Sequence, residues 1–131
     1  MGVPGVRKVT SDDDLRWYWR GDQQLRLADA IDSDSEAAMT VGFGRYSAGE
    51  SNDWVMSYDE ALIVTKGSFA VDSGGESTVA GPGEVIYLSP GTPVVYRAIE
   101  DTELVYVSFP HWYEATLRSP HAARLDEFVE R

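Results

Sequence analysis

The chain has 131 residues, no cysteine and a formal charge of −11, from 22 acidic and 11 basic residues. Its length and its 43% hydrophobic content suit one domain with one core, while the negative charge argues against nucleic acid and anionic membrane as partners. The lack of cysteine excludes disulfides, zinc–thiolate sites and thiol nucleophiles, and no apolar run approaches the ~20 residues of a membrane helix.

The opening MGVPGVRKVTSDDD has no long apolar stretch after its basic residues, so no secretory signal is expected and a cytoplasmic location is. Residues 1–24 are predicted to form an arm: a lead-in ending in Asp12, Asp13 and Asp14, then RWYWR (16–20), a short strand or an arm packed on the body. LRLADAIDSDSE (25–36) is open between forms; Leu25, Leu27 and Ile31 could begin a strand, and its acidic end is a turn. From residue 37 the apolar period is that of β structure. AAMTVGFGRY (37–46) places Met39, Val41 and Phe43 on one face, and SAGESND (47–53) reads as a loop. ALIVTKG (61–67) is a strand entering a turn, and SFAV and STVA flank a turn in which Gly74 and Gly75 supply positive φ. EVIYLSP, TPVVYRAI and TELVYVSF complete a series of short strands at 8–12 residue spacing, the pattern of a sandwich or barrel over 25–110. Residues 111–131 are predicted helical: a turn at HWYEATLR (111–118), then a helix over 120–130. Ser119 as N-cap, Pro120 at the first position and an apolar stripe of Leu125, Phe128 and Val129 support the latter.

Two stretches carry a resemblance. GESNDWVMSYDEALIVTKG (49–67) and GPGEVIYLSPGTPVVY (81–96) resemble the two cupin motifs, in order and with a glycine-rich hairpin between them. That resemblance implies an all-β fold: a single cupin barrel (double-stranded β-helix, or jelly roll) with an N-terminal arm and a short C-terminal helix. In cupins two histidines at i and i+2, a glutamate and a third histidine hold a metal; the matching places here are Trp54, Met56, Glu60 and Val94. One carboxylate beside an indole, a thioether and a valine is a poor donor set for a first-row metal, and His111 would not repair it. No metal and no other cofactor is expected.

WVMSYDEALIVTKG, AGPGEVIYLSPGT and LVYVSFPHW are similar to the EutQ group of ethanolamine-utilisation cupins. The resemblance implies a cupin of ethanolamine catabolism linked to bacterial microcompartments, and an acetate kinase activity is attributed to that group. The residues add no support for the kinase, since no G-x-x-x-x-G-K-[ST] loop is present.

Glu60 is the first candidate catalytic residue, a carboxylate pointing into an apolar barrel and poised by burial as acid or base; the competing role is a buried carboxylate paired with an arginine or tyrosine. Tyr58, Tyr87 and Tyr96 are candidate acid–base partners and Tyr106 a candidate ligand contact, against core packing with each hydroxyl on a rim partner. Tyr96 shares parity with Val94 and should face inward, with Arg97 opposite it. Trp54 and Met56 fill the vacated metal space or wall an apolar ligand pocket. Arg45 could recognise a carboxylate or phosphate, and His111 could cap the pocket. The expected partners are a small-molecule ligand and a second copy of the chain, with RWYWR a candidate arm between copies. Three functions compete: a metal-independent EutQ-type binding protein, a metal-free isomerase, epimerase or lyase using a Glu/Tyr pair, and an assembly module with a filled barrel. The size of the interior cavity separates them.

Overall fold

From Thr40 to Tyr46 and from Thr102 to Ser108 every second residue is buried, the burial pattern of strands with one wet face. The computed structural model describes residues 5–130 and consists mainly of such strands. In chain order they are β1 (Tyr18–Arg20), β2 (Leu25–Ile31), β3 (Thr40–Tyr46), β4 (Ser51–Val55), β5 (Asp59–Lys66), β6 (Phe69–Ser73), β7 (Glu76–Ala80), β8 (Val85–Leu88), β9 (Pro93–Ala98) and β10 (Thr102–Phe109). A short helix α1 (Trp112–Leu117), a 3₁₀ segment (Ala122–Glu127) and an edge strand β11 (Phe128–Glu130) follow.

All pairings are antiparallel. One sheet runs β11-β1-β2-β3-β10-β5-β8 and the other β4-β9-β6-β7. Their inner faces share one apolar core, with Leu25, Tyr46, Leu62 and Leu104 from the first sheet and Trp54, Phe69, Val71 and Tyr96 from the second. Tyr46 meets Phe69 edge-to-face across the gap, with centroids 5.0 Å apart. This is the cupin-type barrel anticipated from the sequence. The β6–β7 hairpin closes on Gly74 and Gly75 with φ of 59° and 80°, the positive pair a two-residue turn demands.

Three local expectations are qualified or corrected. Val41 and Phe43 do share a face of β3, but it is the outer one; the inner face holds Thr40, Gly42, Gly44 and Tyr46. The reason lies in β10: Tyr106 stands opposite Gly42 and Leu104 opposite Gly44, and a methyl on Gly42 would collide with the Tyr106 ring. The glycines leave the interior to large side chains of the neighbouring strand. The second correction concerns Ser51–Val55, which is strand β4 paired to β9, so the loop is shorter than 47–53. Third, residues 120–130 are not an α-helix. The chain makes a 3₁₀ turn and then pairs Phe128, Val129 and Glu130 with β1, because this edge offers backbone partners and a place for Phe128 on the aromatic core. The α-helix of this region is the Trp112–Leu117 turn anticipated within 111–118. RWYWR supplies β1, which docks on β2 and β11 of its own chain.

Candidate functional site

β5 carries Glu60 inward and β9 carries Tyr96 inward, as strand parity requires. The Tyr96 hydroxyl donates to Glu60 Oε1 at 2.7 Å and lies 3.3 Å from Met56 Sδ. Glu60 is 6% and Tyr96 7% exposed. Burial drives the Glu60 carboxyl from 4.5 up to about 7; the Tyr96 hydrogen bond pulls the other way and the nearby Asp29 adds to the rise. The same burial, with the Glu60 charge beside it, holds Tyr96 well above its ordinary 10, so the phenol is neutral and donates. An acid that is half ionised near neutrality and rests on a fixed phenol can take up and return a proton.

Around this pair runs a polar ring within an aromatic wall. Trp54 Nε1 donates to Tyr58 Oη at 3.0 Å, and Tyr46 Oη donates to Asn52 Oδ1 at 2.9 Å. Tyr106 Oη donates to Asp29 Oδ1 at 2.6 Å, and Trp112 Nε1 reaches the same oxygen at 2.9 Å. Burial raises the Asp29 carboxyl, partly offset by those two donors. The cavity is about 40 Å³ and touches Glu60, Tyr96, Tyr58 and Tyr106; that is room for a few water molecules at most. Ser108 Oγ, on the strand position opposite Glu60, is buried and makes no hydrogen bond among the described residues.

The C-terminal segment closes the mouth. Trp54, Trp112 and Phe128 pack edge-to-face with centroids 5.6 to 6.3 Å apart. Arg124 lies 5.3 Å above the Trp54 ring. Outside the rings, Arg20 bonds Glu127 at 2.8 Å and Asp53 at 3.2 Å, while Arg124 bonds Glu127 at 2.9 Å. Hydrogen bonds from Arg124 hold the Glu127 carboxyl below its usual range.

The structure brings together Glu60, Tyr96, Tyr58, Tyr106, Trp54 and Met56 of the residues expected from sequence. It separates three. Tyr87 is 63% exposed on the outer face and bonds Asp59, because β8 presents Ile86 and Leu88 inward instead. Arg45 is also outside, as its neighbour Tyr46 takes the inner position. His111 bonds Thr40 Oγ1 and the Ala37 carbonyl and ties α1 to β3. Sequence reasoning missed Asn52, Asp29, Trp112 and Phe128. Asn52 shares parity with Trp54 and Met56, so extending the alternation back past Trp54 exposes it; Asp29 depends on the pairing of β2 with β3, and Trp112 and Phe128 on where the C-terminal segment lands.

A cupin metal would need the four motif positions. They are indeed neighbours, with Trp54 paired to Val94 across β4 and β9, but their donor atoms do not fit a metal. Among the described residues no cluster of three or more histidine, aspartate or glutamate side chains is placed to hold one.

The sequence profile of the family described as "Ethanolamine utilisation protein EutQ" matches residues 20–114. The chain belongs to the EutQ family. The acetate kinase EutQ of Escherichia coli K12 is 25% identical over 84 residues, 64% of this chain and 36% of that protein. The chain therefore spans little more than a third of that relative's length. The crystal structure of an ethanolamine utilization protein Q from Salmonella typhimurium LT2 superposes with a TM-score of 0.65, covering 71% of this chain and 78% of that one at 24% identity. An RmlC-like cupin from Shewanella frigidimarina gives a TM-score of 0.65 over 80% of this chain and 92% of its own at 12% identity, which shows the cupin fold. The EutQ match spans the whole Glu60–Tyr96 site and ends before Arg124 and Phe128.

Proposed function

We propose that this EutQ-type cupin works without a metal in ethanolamine utilisation, binding a small molecule in its barrel and moving a proton through Glu60. The observation that carries this is the buried Glu60–Tyr96 pair, 2.7 Å apart, with the carboxyl raised to about 7. Perturbed titratable groups inside a cavity mark functional sites. In this scheme Tyr96 orients Glu60 through Oε1, and Oε2 exchanges the proton with the ligand. Among the described residues no arginine or lysine lines the cavity, so they offer nothing to neutralise a phosphoryl group there, and the kinase name of the relatives is not extended to this site.

The 40 Å³ interior is too small for a metabolite, so binding requires Trp112 and Phe128 to swing outward with the C-terminal segment. A thermal-shift screen of small amines, alcohols, aldehydes and carboxylates tests the proposal. A binder at a hundred times its Kd stabilises by about 2.7 kcal/mol, and Glu60→Gln should abolish that shift. A screen in which no compound raises the Tm, or in which Glu60→Gln responds like the parent, favours the second reading. That reading is an assembly module with a filled barrel, for which the small cavity speaks.

Homodimer formation in the cytoplasm, in association with a microcompartment, belongs to the same proposal. Its support is the outer face of β3, β10, β5 and β8, where Val85 and Tyr87 are 57% and 63% exposed beside half-buried Phe43, Ile63 and Val105. A monomer by sedimentation at micromolar concentration contradicts the pairing.

A further inference from the structure

A second cluster of functional groups lies outside the barrel, away from Glu60. The register of β2 and β3 sets Arg26 directly opposite Arg45, and the same row continues through Glu103 on β10 to Lys66 on β5. Like charges directly opposite in a sheet repel, and this pair is poorly neutralised. Glu103 stands 3.4 Å from Arg45 Nε, and a nearly free Asp12 stands 3.9 Å from its Nη2. Arg26 has no ion pair among the described residues, and Arg45 Nε is buried without a hydrogen bond. Burial and the facing Arg45 both press the Arg26 guanidinium toward its neutral form.

Two indoles hold the cations in place. Arg26 lies 4.9 Å from the Trp17 ring and 4.9 Å from the Trp19 ring, and Arg45 lies 4.9 Å from Trp17. A guanidinium held over an indole can still direct N–H groups along its edge into hydrogen bonds. Beside these edges opens a cleft of about 480 Å³, whose charged lining is Arg26, Arg45 and Lys66 against Asp101 and Glu103. That leaves one excess positive charge there, on a chain whose formal charge is −11. Asp101 already accepts the Ala48 N–H at 2.8 Å, which draws it toward the turn at the cleft edge.

We propose that this cleft is a binding site for a small oxyanion, the carboxylate or phosphoryl group of a metabolite, gripped between Arg26 and Arg45 with Lys66 at the far end. The oxyanion would bridge two guanidinium edges, the geometry these groups recognise best, and would relieve the repulsion between them. RWYWR then has a role apart from the barrel site: it supplies both indoles of the clamp.

The test is a titration of the full chain with sodium phosphate and, separately, sodium acetate, at constant ionic strength and pH 7.5, read by tryptophan fluorescence and by Tm. Saturable binding of either anion is expected, weakened at least tenfold in Arg26→Gln and in Arg45→Gln and unchanged in Glu60→Gln. Tighter binding of phosphate assigns a phosphoryl group, tighter binding of acetate a carboxylate; either upholds the site. The anion-free Tm of Arg26→Gln should change little, since the repulsion from Arg45 and the contacts with Trp17 and Trp19 are lost together, while its anion-induced rise disappears. No saturable effect of either anion, or binding unchanged in both arginine variants, overturns the proposal. So does a parent dimer that dissociates in these variants without anion binding, which would give the cleft to acidic residues of a second copy.

Discussion

Replacing Glu60 by glutamine should stabilise the protein, and by an amount that depends on pH. Protonated glutamate and glutamine are nearly isosteric, and both accept from Tyr96, so the two proteins should differ little in acid. As pH rises, the unfolded carboxyl ionises near 4.5 while the folded one waits until about 7. A carboxyl raised on folding contributes stability that is fully present below the unfolded value and is lost as pH climbs to the folded one. Each unit of difference is worth about 1.36 kcal/mol. Linkage then predicts that Glu60→Gln is more stable than the parent by about 1 kcal/mol at pH 5 and by about 3 kcal/mol at pH 8. Urea unfolding of both proteins at intervals from pH 5 to pH 8 measures this and stays above the isoelectric point of about 4.4. Taking the difference cancels the surface carboxylates common to both. A difference that stays flat across this range would mean that Glu60 ionises like an exposed carboxylate, and the acid–base role would go with it.

Other outcomes follow from the same geometry. Tyr96→Phe removes the donor that restrains the Glu60 carboxyl, so its midpoint should move above about 7 in a carbon-13 NMR titration, with a loss of about 1–2 kcal/mol in urea unfolding. Trp54→Ala empties the place next to Tyr58 and Phe128 and should cost about 3–5 kcal/mol in the same assay; a loss under 1 kcal/mol would show that the C-terminal segment, not the indole, seals the barrel. Gly42→Ala pushes a methyl into the Tyr106 ring and should cost about 1–3 kcal/mol through overpacking. Arg20→Ala cuts the links to Glu127 and Asp53. It should speed hydrogen exchange of the β11 amides while changing global stability by about 1 kcal/mol or less; unchanged exchange would mean that these ion pairs do not latch the mouth.

Much of the molecule was legible in the residue order. Alternation along β5, β9 and β10, the Gly74–Gly75 turn and two motifs in the right succession are local properties, set by side-chain parity and backbone freedom, and they determined the barrel and the inward direction of Glu60 and Tyr96. The same motif positions, filled by Trp54, Met56 and Val94, determined that the interior would lack imidazole. Tertiary structure decided the rest. Gly42 and Gly44 carry no hydropathy signal, yet they face the core because Tyr106 and Leu104 on another strand occupy the volume they leave. Leu125, Phe128 and Val129 are spaced as a helix would space them, but pairing with β1 and contact with Trp54 and Trp112 stabilise an edge strand there. The covered mouth and the Asp29 contacts arise between segments far apart in the chain, and the facing of Arg26 by Arg45 comes from the register that β2 and β3 adopt on pairing. No local pattern encodes such meetings, because each depends on which strands become neighbours once the sheets have formed.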